Sequence, residues 1–158
     1  MHGSRKYLSM DKKNIKSFMT LVDEVKKIRN ELQDQITFDE NLSKFSWFNL
    51  GGPAKIVFRP KSLKDLSFFL KNISANSKIK VLGVGSNTLI RDGGFDGIII
   101  RFGKAFSHIS LLKNNLLISG AGTLDKKVSD FALNNSLSGF EFLSCIPGTI
   151  GGAIKMNS

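Results

Sequence analysis

The sequence is short of the residues that staple a fold or hold a metal. Of 158 residues, one is cysteine (Cys145) and two are histidine (His2 and His108). A single thiol excludes an intramolecular disulfide and a multi-cysteine zinc centre. Two histidines far apart in the chain argue against a zinc enzyme. No apolar run approaches the ~18–20 residues of a membrane-crossing helix. Residues 1–10 read as a leader, but they lack the apolar stretch of a secretory signal. No repeat or low-complexity tract is present. The rest is ordinary: 41% hydrophobic and 23% charged residues, which excludes disorder as the dominant state. The length suits one domain, or two small ones sharing an interface. The expectation is a soluble cytoplasmic protein with no membrane partner.

Acidic side chains are also scarce, 13 against 23 Lys and Arg, for a net charge of +10. Residues 1–40 hold 8 basic and 7 acidic side chains, so 15 basic and 6 acidic fall in the glycine-rich remainder. A basic surface points to an anionic partner, either nucleic acid or a phosphorylated small molecule. The bland alternative is biased base composition, since the chain favours Lys, Ile and Asn over Arg and Ala.

Steps of three and four through Ile15, Phe18, Val22, Val25, Ile28 and Leu32 predict an amphipathic helix with Asn14 as N-cap. Asn41–Asn49 reads as a polar and aromatic lead-in to the turn Leu50-Gly51-Gly52-Pro53. Lys55–Arg59 alternates as a strand around Ile56 and Phe58 and ends at Pro60. Ser62, with Asp65 three residues on, should cap a helix burying Leu63, Leu66, Phe69 and Leu70. Ile79–Leu82 reads as a short buried strand, and Ile98–Ile100 as a strand buried on both faces. Ile109–Leu112 and Leu116–Ser119 form a hairpin around Asn114-Asn115. Thr123 should cap a helix carrying Val128, Phe131, Ala132 and Asn135. Strands and helices mix without strict alternation, so the fold class is α+β rather than doubly wound.

Three glycine-rich turns stand out: Gly83–Asn87, Gly120–Gly122 and Pro147–Gly152. Consecutive N–H groups in such turns form concave anion sites, and absent side chains let a phosphate approach. Ser86, Asn87 and Thr149 add side-chain donors. The alternative for any one of them is a plain turn. Common nucleotide motifs fail in detail. Thr88 stands where the dinucleotide fingerprint needs its third glycine, and Met156 stands where a P-loop needs Ser or Thr. No basic–aromatic RNA-binding strand is present, so nucleic acid is not an expected partner. Glu141 lies between Phe140 and Phe142, where burial would raise its pKa, though a solvent-facing or capping carboxylate is the commoner outcome. Cys145, in an apolar stretch, reads as a buried small hydrophobe. His108 has no paired carboxylate nearby in sequence and no assigned role.

Taken in order, these turns carry a resemblance. The segments are Phe48-Asn49-Leu50-Gly51-Gly52-Pro53-Ala54, Gly83–Asn87, Ile90-Arg91-Asp92-Gly93-Gly94-Phe95-Asp96-Gly97, Gly120–Gly122, and Glu141-Phe142-Leu143 running into Ile146–Ala153 with Asn157. This ordered set over residues 42–158 resembles the UDP-N-acetylenolpyruvoylglucosamine reductases, the MurB flavoenzymes of peptidoglycan synthesis. Asn49 departs from the pattern, since many members carry a basic residue there.

The resemblance implies a two-lobed FAD-binding domain of the vanillyl-alcohol-oxidase type. The lobes would be residues 41–105 and an incomplete 106–158, after a leader and helix over 1–40. It places Gly83, Gly85, Ser86, Asn87 and Thr88 at the FAD pyrophosphate region. It gives Gly122, Pro147, Gly148, Thr149, Gly151 and Ile154 to the other lobe's FAD contacts. It implies NADPH as co-substrate, with hydride passed through FAD to the enolpyruvyl sugar nucleotide. The family's electrophilic Arg, proton-donating Ser and C-terminal Glu match no position here, so no catalytic residue is assigned. The chain is expected to be the N-terminal portion of such an enzyme and to lack turnover alone. The rivals are another flavin oxidase on the same lobes and a non-catalytic basic binding protein.

Overall fold

The computed structural model describes residues 21–158. The leader reading of residues 1–10, Asn14 as cap, and the stripe positions Ile15 and Phe18 lie outside these residues. Residues 21–28 are helical (α1) and tighten into a 3₁₀ turn over Arg29–Leu32. The stripe continues as expected, with Val25, Ile28 and Leu32 all buried.

A four-stranded sheet follows, with order β1-β2-β4-β3. Its strands are β1 (Ile36–Asn41), β2 (Pro53–Phe58), β3 (Ile79–Val81) and β4 (Phe95–Ile100). β1 runs antiparallel to β2, while β2 and β3 each pair in parallel with β4. β1 is an addition to the sequence reading. It straddles the boundary expected at residue 40, so the end of the 1–40 segment belongs to this sheet. Between β2 and β3, helix α2 (Leu63–Lys71) opens on the expected cap, with Ser62 Oγ accepting from Asp65 N–H at 3.0 Å.

The two faces of the sheet carry two cores. Ile56 and Phe58 of β2 join Ile98 and Ile100 of β4 against α1 and α2. There the ring of Phe69 stacks on Phe58 with centroids 4.0 Å apart. Val57, Leu82 and Ile99 pack on the other face with Leu42 and Phe45. The double-sided burial expected for Ile98–Ile100 is therefore found.

Two burial readings need correction. Leu63 is 73% exposed and Leu70 is exposed too; it is Leu66, Phe68 and Phe69 that meet the core. β3 is exposed along its length, because β4 inserts between it and β2 and leaves it at the sheet edge. Only Leu82, just beyond β3, is buried.

The remainder is built on the hairpin β5 (Ile109–Leu111) and β6 (Leu117–Ser119), paired antiparallel as expected. Helix α3 (Asp125–Asn134), a 3₁₀ turn at Glu141–Cys145 and helix α4 (Ile150–Met156) complete it. Thr123 is not the cap of α3. Leu124 occupies that position without a side-chain bond, and the Thr123 hydroxyl donates instead to the His108 carbonyl at 3.3 Å. Among the described residues, no helix is long and apolar enough to cross a membrane.

Candidate functional site

The carboxyl end of β3 leads directly into the Gly83–Asn87 turn. None of the five N–H groups from Gly83 to Asn87 donates a hydrogen bond to a described residue. Buried backbone donors are almost always paired, whereas those of this partly exposed turn are open to water or to a ligand. A run of free ones is therefore a ready surface for an anion such as a diphosphate.

The preceding segment holds this turn in place. Trp47 N–H donates to the Gly85 carbonyl at 3.3 Å, and Phe48 N–H donates to Ser46 Oγ at 3.2 Å. Gly85 has φ +73°, and a Cβ there would lie 2.0 Å from the Phe45 carbonyl oxygen. Only glycine satisfies both demands.

The second turn comes from the other end of the chain. Asp125 N–H donates to the Gly148 carbonyl at 3.2 Å and Ile150 N–H to the Thr123 carbonyl at 2.9 Å, pinning Gly148–Ile150 to the start of α3. Thr149 Oγ1 accepts from Gly152 N–H at 3.3 Å and caps α4. The two turns touch: a Cβ on Gly83 would sit 3.0 Å from Thr149 Oγ1. Beside this contact lies a cavity of about 320 Å³. Trp47 and Val84 line it from one side, and Lys126, Cys145, Pro147 and Gly148 from the other.

The structure thus brings together Gly83, Gly85, Pro147, Gly148 and Thr149. Ser86, Asn87 and Thr88 continue the first turn, with Asn87 and Thr88 exposed. Gly122 spends its amide on the Phe106 carbonyl at 2.8 Å, and Gly151 spends its own on Ala121 at 2.9 Å. Those two fix the frame of the second turn rather than offering donors. Ile154 is exposed on α4. Glu141 takes the capping role: it is exposed, and its carboxylate accepts from Gly139 N–H at 2.8 Å. Cys145 is not the buried hydrophobe expected from its apolar neighbours. It is exposed on the 3₁₀ turn and borders the cavity, because Leu143 takes the buried position of that turn.

Three titratable groups among the described residues are clearly perturbed. Asp125 is fully buried and neither carboxylate oxygen has a partner among the described residues. Burial pushes its carboxyl above the usual range. A Cβ on Gly148 would lie 2.6 Å from Asp125 Oδ2, so a larger residue there would displace that carboxylate. Sequence reasoning missed Asp125, because an acid at a helix start looks like ordinary dipole matching. It also missed Trp47, whose one signal is its place in the aromatic run ahead of Gly51-Gly52.

Glu40 is pushed up by burial, but bonds from Thr37 and Arg59 and the charges of Arg59 and Lys44 outweigh this and leave it below its ordinary value. Arg101 is lowered by burial and by the charge of Arg59, against a smaller upward pull from Glu40. Among the described residues, no group of three or more His, Cys, Asp or Glu could hold a metal ion.

Residues 54–158 match the FAD binding domain family. The chain belongs to that family. It is 56% identical over 137 residues to the UDP-N-acetylenolpyruvoylglucosamine reductase of Pelagibacter ubique, covering 87% of this chain and 45% of the relative. It is 50% identical over 120 residues to the same-named protein of Orientia tsutsugamushi (strain Ikeda), covering 74% and 40%. Among solved structures, the MurB of Thermus caldophilus superposes with a TM-score of 0.63 at 31% identity, over 78% of this chain and 41% of that one. The α+β class and the family resemblance are borne out. The chain spans less than half the length of these relatives.

Proposed function

We propose that this chain forms the FAD-binding part of a UDP-N-acetylenolpyruvoylglucosamine reductase acting with NADPH in peptidoglycan precursor synthesis in the cytoplasm. The five amides of Gly83–Asn87, unpaired among the described residues and set against the Thr149 turn, carry the reading. They suit the FAD diphosphate, while the cavity walls of Trp47, Val84 and Pro147 suit its apolar rings. Residues 41–105 and 106–158 act as the two lobes that grip the cofactor. Bound FAD would supply the hydride chemistry between NADPH and the enolpyruvyl double bond. The chain's own contribution is to bind and orient: Gly83 and Gly85 allow close approach, and Thr149 and Gly148 set the facing wall.

Titration of the purified chain with FAD, followed by flavin absorbance and by quenching of its one tryptophan, Trp47, tests the proposal. Saturable binding weakened by Gly83→Val supports it. No binding at millimolar FAD overturns it. The chain alone is expected not to oxidise NADPH in the presence of the enolpyruvyl sugar nucleotide, and turnover would refute that part.

A further inference from the structure

A second feature lies at the same end of the sheet and is not needed for the reading above. β2, β3 and β4 all point their carboxyl ends toward one edge. The residue following β2 is Arg59 and the residue following β4 is Arg101. Arg101 N–H donates to the Phe58 carbonyl at 2.9 Å, which sets the two arginines side by side.

Both guanidinium groups lie against one ring. Arg101 Cζ is 3.9 Å from the Phe45 centroid and Arg59 Cζ is 5.2 Å from it. The facing groups are few. Arg59 donates to Glu40 at 2.6 Å through one Nη and to Thr37 Oγ1 at 3.2 Å through the other, and Glu40 also accepts from the Thr37 hydroxyl. Asp39, next to Glu40, pairs with Lys55 at 3.9 Å. Lys44 adds a further positive charge near Glu40. Among the described residues, Arg59, Arg101 and Lys44 therefore share the carboxylate of Glu40. The Nε of Arg101 is buried and has no partner among the described residues. A buried, charged donor without an acceptor is costly, and the positive charge of Arg59 works against that of Arg101. An anion with several oxygens, held at the partly exposed ends of these side chains, offsets the repulsion.

We infer that Arg59 and Arg101, stacked on Phe45, form a binding site for a phosphate or diphosphate group of a small molecule, separate from the Gly83–Asn87 amides. The guanidinium fork matches phosphate oxygens in pairs. Both side chains are only partly buried, so a ligand can reach them.

The test is calorimetric titration of the purified chain with inorganic pyrophosphate at low salt. Wild type should bind saturably. Arg101→Met and Arg59→Met, which keep the stem but lose the charge, should each weaken binding by about tenfold or more. Lys71→Met, the same charge change on α2, should leave it unchanged. Equal binding in wild type and both arginine variants would place pyrophosphate at the glycine turn and overturn the inference. So would an equal loss in Lys71→Met, or no binding by wild type. If Arg101→Met does not fold, Arg101→Lys decides in its place: weaker binding supports the paired fork and unchanged binding refutes it. FAD binding that survives all these variants leaves the cofactor proposal intact, so the two readings fail separately.

Discussion

Replacing Gly85 by alanine combines two penalties that neighbouring glycines allow to be separated. Gly85 has φ +73° and its Cβ would meet the Phe45 carbonyl at 2.0 Å. Gly139 has φ +92° but open space around its Cβ position, and Gly93 has open space without the positive φ. Alanine at Gly93 only restricts the unfolded chain and should stabilise by about 0.4–1 kcal/mol. At Gly139 the left-handed backbone costs about 1–2 kcal/mol, partly offset by that entropy gain. At Gly85 the clash with a backbone oxygen adds about 1–3 kcal/mol, as for other overpacked sites. The net loss there should be about 3 kcal/mol, or about 6–12 °C in Tm for a chain of this size. Urea unfolding followed by Trp47 fluorescence reads all three variants on one scale. Gly85→Ala should be the least stable and should lose FAD affinity, since the five amides of that turn shift with it. A Gly85→Ala midpoint no lower than that of Gly139→Ala would refute the reasoning.

Other perturbations have defined outcomes. Phe69→Ala removes a buried ring stacked on Phe58 and should cost about 3–5 kcal/mol by chemical denaturation. Asp125 holds its proton more tightly folded than unfolded, so its contribution to stability should fall as pH rises above the ordinary value of 3.8. Denaturation midpoints of Asp125→Asn should lack that decline. Glu40 has the opposite sign: its lowered pKa gives stability above the ordinary carboxylate range that is lost as pH falls through the folded value, a loss that Glu40→Gln should abolish. Cys145 should react with a soluble thiol reagent in the native state at close to its unfolded rate, and FAD should slow the reaction. A native thiol that resists the reagent would contradict its exposure.

What could be read from the sequence was what is decided within a few residues. The Ser62–Asp65 cap, the Asn114-Asn115 hairpin and the Ile98–Ile100 strand all depend on local pattern, and all are found. β1 was missed because Ile36-Thr37-Phe38 gives only two apolar positions before Asp39 and Glu40 break the alternation, with Asp39 at φ +49°. β3 was misread as buried because its exposure follows from strand order, which no local pattern encodes. The glycine turns were legible as candidate anion sites. Their meeting at Gly83 and Thr149 was not, since 66 residues separate them. Thr123 and Cys145 were misassigned for one reason: a neighbour, Leu124 or Leu143, took the expected position once the turns were packed.

The strand order also bears on how the chain assembles during synthesis. β4 is the last strand of the four-stranded sheet to be made, yet it lies between β2 and β3. Before Phe95–Ile100 emerges, β3 has no strand to pair with, and the face made by β2, α1 and α2 lacks half its apolar wall. The chain then presents open strand edges rich in valine and isoleucine, the kind of surface on which nascent chains associate wrongly. Insertion of one six-residue strand closes both edges together. Synthesis rate and chaperone access over residues 60–100 therefore bear on the yield of folded chain.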